Sequence, residues 1–218
     1  MNYSEFWSEG TGKSVLLLAH GAGAPADSSY MNRLSSALAV KGVTVVRFEF
    51  PYMKLRRENG GRRPPARVPK LMDTFQEEIA RLRSLIGWER PLFIGGKSLG
   101  GRVASLLAAE SGLGGAVSGV VCFGYPFHPP RKADRWRTEH FARLTLPVCI
   151  LQGSRDPFGT QDELMQLGNL GPPIKLHWLF GGDHDFKPLV RHRTSQSILI
   201  DRAAEIAASF INTIASGG

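Results

Sequence analysis

Leu92-Phe93-Ile94-Gly95-Gly96-Lys97-Ser98-Leu99-Gly100-Gly101-Arg102-Val103-Ala104-Ser105 is the stretch whose reading decides the fold. An apolar, strand-like run enters the pentapeptide Gly96-Lys97-Ser98-Leu99-Gly100, and a helix-forming run leaves it. A serine placed on so sharp a strand–turn–helix junction is strained, and glycines two residues to either side let strand and helix approach without a Cβ clash. The helix that starts behind Ser98 aims its free N–H groups at any oxyanion formed there.

The same letters contain a decoy. Gly96-Lys97-Ser98 and Gly12-Lys13-Ser14 both match the end of a phosphate-binding loop, which needs a further glycine five residues before the second one. Those positions are Pro91 and Trp7, and Ser14 runs into the strand pattern Val15-Leu16-Leu17-Leu18 rather than into a helix. The nucleotide-binding reading fails.

The order of the remaining parts strengthens the pentapeptide. Upstream, Val15 to Ala19 is a short apolar strand ending in His20-Gly21-Ala22-Gly23. Downstream, Val148-Cys149-Ile150-Leu151 ends in Gln152-Gly153-Ser154-Arg155-Asp156, and Leu176 to Phe180 ends in Gly181-Gly182-Asp183-His184-Asp185. Oxyanion loop, serine, acid and histidine thus follow one another, each just past the C-terminal end of a strand. That order differs from those of the chymotrypsin and subtilisin types.

On these residues the chain resembles the α/β-hydrolase superfamily over nearly its whole length. More closely it is similar to the small lidless branch that includes Tex30/KANL3-type hydrolase-like proteins, near the dienelactone-hydrolase group. The closer match is carried by His20 to Gly23, Phe50-Pro51-Tyr52-Met53, Arg62-Arg63-Pro64-Pro65, Gly95 to Arg102, Tyr125-Pro126-Phe127-His128-Pro129-Pro130 and Gly182 to Phe186. Dienelactone hydrolases proper use cysteine as the nucleophile, whereas this chain has Ser98. The resemblance implies a three-layer α/β/α sandwich with a mostly parallel sheet and no separate lid domain. It implies no substrate, since that branch also holds members regarded as protein-interaction modules.

Length and composition agree. With 218 residues, 42% of them apolar, the chain suits one domain over 1–218 with a sizeable core. No stretch approaches a membrane span, and Met1 to Trp7 lacks a basic region followed by an apolar core, so neither membrane insertion nor a signal peptide is expected. The two cysteines, Cys122 and Cys149, both fall in apolar strands and read as small buried hydrophobes. No metal site and no cofactor are expected, and the compartment expected is the cytoplasm.

The formal charge of +8 gathers in three connecting segments, Lys54 to Arg67, Arg131 to Arg143 and Lys187 to Arg193. No nucleic-acid module accompanies them. All three follow strands, so they are expected on the sheet edge that carries Ser98, as solvated loops or as a basic rim steering anions.

Short strands alternate with amphipathic segments, as in βαβ units. Asp27-Ser28 caps a helix with Met31, Leu34 and Leu38 inward, and Val43 to Phe50 is the next strand. Pro51 to Pro69 reads as a loop too rich in proline for a helix. A helix follows through Leu71, Phe75, Ile79, Leu82 and Leu85 or Ile86, and Gly119 to Gly124 contains a strand. A terminal helix spans Ile198 to Ile214, with apolar positions at Ile198, Ile206, Phe210 and Ile214.

Ser98 is the candidate nucleophile, His184 the base and Asp156 the acid that orients it. Asp183 and Asp185 flank His184 directly, and side chains of neighbouring residues point apart, so they suit capping that loop. His177 lies within a strand, His20 shapes the oxyanion turn, and His128, His140 and His192 sit in basic loops. The oxyanion donors are the N–H groups of Leu99 and of Ala22 or Gly21. Lys97 either favours an anionic substrate or pairs with an acid such as Glu49, and Arg102 reads as structural. Arg62 and Arg63 are the further candidates for contacting an anionic acyl group.

The leading function is a cofactor-free serine hydrolase acting on an ester or thioester of a small soluble, anionic acid. The rival is a non-catalytic or weakly catalytic scaffold binding a protein or other polyanion through the basic rim, with a peptidase third.

Overall fold

A computed structural model of the chain describes residues 6–61, 63–110, 113, 115–191 and 193–217. The chain runs β1 (Trp7–Glu9), β2 (Val15–Ala19), α1 (Ser29–Val40), β3 (Thr44–Phe48), α2 (Pro51–Asn59), α3 (Val68–Ile86), β4 (Leu92–Lys97) and α4 (Leu99–Ala108). It continues with β5 (Gly119–Phe123), a single 3₁₀ turn at Phe141–Arg143, β6 (Val148–Gly153), α5 (Gln161–Leu167), β7 (Ile174–Leu179) and α6 (Gln196–Ala215).

The strands form one sheet in the order β1-β3-β2-β4-β5-β6-β7. All neighbours are parallel except β1, which pairs with β3 antiparallel. Parallel strands are covered on both faces, which is why β2 through β6 are buried along their whole length. The two faces follow the strand's period of two. Leu16 and Leu18 of β2 join Phe93, Val121 and Leu151 under α1 and α6, while Val15, Leu17 and Ala19 join Ile94, Cys122 and Ile150 under α3 and α4. This is the α/β-hydrolase sandwich, and the described residues form no separate lid domain.

Two sequence expectations need correction. The segment 51–69 is not all loop: Pro51 to Asn59 is helical, and α3 begins at Val68. Pro51 and Pro69 stand in the first turns of their helices, where no N–H is needed and proline's fixed φ suits the helix, so among the described residues of the segment only 60, 61 and 63–67 lack regular structure. The buried stripe of α6 runs through Leu199, Ile200, Ala203, Ala204, Ala207, Ala208 and Ile211, leaving Ile198 56% exposed. Small alanines let the helix lie close on the sheet, with Ile206, Phe210 and Ile214 packing at the flank. Of the two positions open at the end of α3, Ile86 is the buried one and Leu85 is exposed.

Cys122 on β5 and Cys149 on β6 are free and fully buried. Burial pushes both thiols up, that of Cys149 to about 12. No helix among the described residues is long and apolar enough to cross a membrane.

Candidate active site

The sheet delivers its functional residues to one edge. Ser98 follows β4 directly, with φ 53° and ψ −113°, a left-handed conformation that non-glycine residues rarely adopt. The turn closes because glycines surround it: a Cβ on Gly96 would lie 2.6 Å from the Ala19 carbonyl oxygen, and one on Gly100 would lie 2.7 Å from that of His20.

Three predicted residues meet here. The Ser98 hydroxyl lies 2.8 Å from His184 Nε2, and His184 Nδ1 lies 2.7 Å from Asp156 Oδ2. With Nδ1–H donating to the carboxylate, Nε2 is left to accept from the serine. Asp156 is completely buried. Its Oδ2 also accepts from Gln152 Nε2 at 3.0 Å, and its Oδ1 from the Phe158 N–H at 2.8 Å. Three donors thus compensate a carboxylate that would otherwise be costly to bury. The His184 side chain keeps 18% exposure, and the Phe158 ring lies over it with centroids 4.3 Å apart. Such a chain of contacts can accept a proton from the serine as it attacks and return it to a leaving group.

The loop after β2 lies against this centre, since a Cβ on Gly21 would sit 3.7 Å from Ser98 Cβ. His20 is fully buried and ties the loop down: Nδ1 pairs with the Gly21 carbonyl at 2.7 Å, and Nε2 accepts from the Phe50 N–H at 3.1 Å. Burial lowers its pKa, in keeping with a neutral ring of fixed tautomer. Tyr52 donates to the Gly21 carbonyl at 3.2 Å and lies 3.4 Å from that of Ala22. Because the peptide is planar and trans, holding the Gly21 carbonyl turns the Ala22 N–H to the opposite side. Leu99 supplies the first N–H of α4.

Lys97 does not pair with Glu49. The carboxylate of Glu49 is held by Arg57, at 2.7 Å, and Arg57 also grips Asp27. Lys97 instead donates to the His184 carbonyl and pairs with Asp185. Asp183 caps its own loop, accepting the N–H groups of Asp185 and Lys187, both at 2.9 Å. Arg63 is exposed and enters none of the hydrogen bonds that build the site, and Arg62 lies outside the described residues, as does His192.

His128 and His140 are buried rather than loop-exposed. His128 meets Glu163 at 3.3 Å, and His140 Nε2 lies 2.9 Å from Ser105 Oγ beneath α4. Burial, with Arg102 and Arg143 nearby, lowers His140 to about 4. His177 sits half-buried on the edge strand β7. A groove of about 1140 Å³ lined by Leu144, Pro147, Lys175, His177, Arg202 and Phe210 runs along that edge and contains none of the three site residues.

Gln152, Phe158 and Tyr52 are the contributors that sequence reasoning missed. Phe158 follows Asp156 by two residues in the same turn, so the acid carried the signal. Tyr52 lay inside the segment read as loop.

Among solved structures, the fold is similar to that of Est1E from Butyrivibrio proteoclasticus with ferulic acid bound (TM-score 0.69, 13% identity, 95% of each chain covered). It is also similar to a serine hydrolase without a lid from Xanthomonas campestris (0.64, 16%, 93% of this chain and 87% of that one). A third is the monoacylglycerol lipase of Paleococcus ferrophilus (0.64, 16%, 94% and 99%). The sequence itself matches the alpha/beta hydrolase domain family over residues 12–212, and the chain belongs to that family.

Proposed function

We propose that the protein is a serine hydrolase that cleaves an ester or thioester of a small soluble acid through an acyl-enzyme on Ser98. One observation carries this: the unbroken run from Ser98 Oγ through His184 to the buried Asp156, with contacts of 2.8 and 2.7 Å. Ser98 attacks the acyl carbon as its proton passes to His184 Nε2, and Asp156 holds the imidazolium that forms. The N–H groups of Leu99 and Ala22 receive the oxyanion, each worth on the order of 3 kcal/mol in the transition state. His184 then protonates the departing alkoxide or thiolate. Water, deprotonated by the same nitrogen, releases the acid and restores the serine.

The closer placement in the Tex30/KANL3-type branch and a cytoplasmic location belong to this reading. So does a preference for anionic acyl groups, resting on Arg63 and the other arginines between Lys54 and Arg67 rather than on Lys97, whose ammonium is occupied internally. The reaction requires no cofactor.

Labelling with a fluorophosphonate probe tests the reading. The native chain should be labelled between about pH 6 and 9, spanning the histidine range, and Ser98→Ala should not. A folded native chain that takes no label anywhere in that range refutes it and leaves the non-catalytic scaffold.

A further inference from the structure

Lys97 is buried between the nucleophile and the histidine loop, its side chain only 8% exposed. Its Nζ donates to the His184 carbonyl at 2.8 Å, stands 3.3 Å from Asp185 Oδ1 and lies 5.5 Å from the centre of the Tyr30 ring. Gly124, just past β5, bounds the same space. A Cβ there would fall 2.9 Å from the His184 carbonyl oxygen, 3.3 Å from Lys97 Nζ and 3.4 Å from His184 Nδ1. An ammonium taken out of water is costly unless acceptors replace the water. Here a carbonyl, a carboxylate and a ring face do so. Lys97 is also the residue immediately before Ser98, so its bond joins the turn carrying the serine to the loop carrying the histidine.

We propose that Lys97 is a positioning residue: its ammonium, with Asp185 as counterion, clamps the His184 main chain to the end of β4 and keeps imidazole Nε2 within reach of Ser98. The inference rests on the serine-hydrolase reading of the site and names what holds its geometry. The charged groups around the imidazole are Asp156 from the turn after β6, Asp183 and Asp185 from its own loop, and Lys97 from β4. Tyr30 of α1 faces the ammonium.

The test compares Lys97→Met, which keeps length and removes charge, with Asp185→Asn. Lys97→Met should lower kcat on a short aryl ester about 10²-fold, the scale of a misplaced catalytic group, with KM within about threefold. Asp185→Asn, which leaves the ammonium without its counterion, should lower kcat in the same way by about tenfold. A second readout is rescue: Lys97→Arg restores a cation that can donate to the His184 carbonyl and should recover most of the lost kcat. A purely structural role predicts the reverse order, with the slimmer apolar Met tolerated and the bulkier Arg not. A folded Lys97→Met with native kcat overturns the proposal. Should that variant fail to fold, Asp185→Asn decides alone, because its partly exposed carboxylate can be neutralised without leaving a cavity. A native kcat there overturns the proposal as well. If the native chain takes no fluorophosphonate, the hydrolase reading falls; a labelled native chain with native kcat in Lys97→Met leaves that reading standing and removes the clamp alone.

Discussion

Two serine–histidine pairs stand seven residues apart on one turn and helix, and on the proposed reading only one of them reacts. Ser98 meets His184 at 2.8 Å, and Ser105 meets His140 at 2.9 Å. The distances differ by 0.1 Å; the surroundings are opposite. Behind His184 lies a buried carboxylate, whereas among the described residues no carboxylate hydrogen-bonds to His140, which has Arg102 and Arg143 for electrostatic neighbours. Ser98 is strained, half-buried and presented beside free helix N–H groups. Ser105 is fully buried in α4 and its hydroxyl donates to the Arg102 carbonyl at 2.9 Å. A serine–histidine contact is therefore not chemistry in itself; the third partner, access and a place for the oxyanion make it so.

The largest expected effect separates the two serines. Ser98→Ala should reduce turnover of an aryl ester by on the order of 10⁶-fold, as when the serine of a triad is removed elsewhere. Ser105→Ala should stay within about threefold. Equal damage in initial-rate measurements would erase the contrast.

Next comes the carboxylate behind the proposed base. Asp156→Asn should cost about 10⁴-fold in kcat, because an amide in that place favours the wrong tautomer. Asp183→Asn, which touches only its own loop, should cost far less, and the reverse ranking would move the acid to Asp183.

The second pair has its own signature in stability. His140 takes a proton near pH 4 when folded and near 6.5 when unfolded, so the unfolded chain binds more protons between those values. Stability on this account is intact above about pH 6.5 and is lost as pH falls toward 4, by up to about 3 kcal/mol. Denaturant unfolding at pH 7 and pH 4.5 should show a smaller drop for His140→Gln than for the native chain. His20 and His177, also lowered by burial, add to the drop in both proteins.

The smallest effect concerns the proposed oxyanion loop, which the second pair lacks. Tyr52→Phe should lower kcat by roughly tenfold with KM little changed, the scale of one hydrogen bond that holds a transition-state donor. A change confined to KM would place Tyr52 in substrate binding instead.

The three meeting residues were legible because each follows a short apolar strand, and a parallel sheet brings such strand ends to one edge. The partners that hold them were not. Lys97 reaches across 87 positions to the His184 carbonyl, and nothing in its neighbourhood along the chain announces that acceptor. Helix α2 was hidden by counting prolines without asking where in a turn each falls. Helix α5 was passed over although Thr160-Gln161-Asp162-Glu163 announces it, a capping box in which Thr160 and Glu163 bond reciprocally. The strand β1 spans three residues, too few for any alternation to show.

The two buried thiols make the chain its own gauge of opening. Cys122 and Cys149 sit on adjacent central strands and are the protein's only cysteines. An alkylating reagent meets them only when β5 and β6 part from their covering helices, so the alkylation rate counts the fraction of molecules open at any moment. If both thiols react at one rate, the centre of the sheet opens as a unit. If Cys149 reacts first, the half of the sheet that bears Asp156 and His184 loosens before the half that bears Ser98.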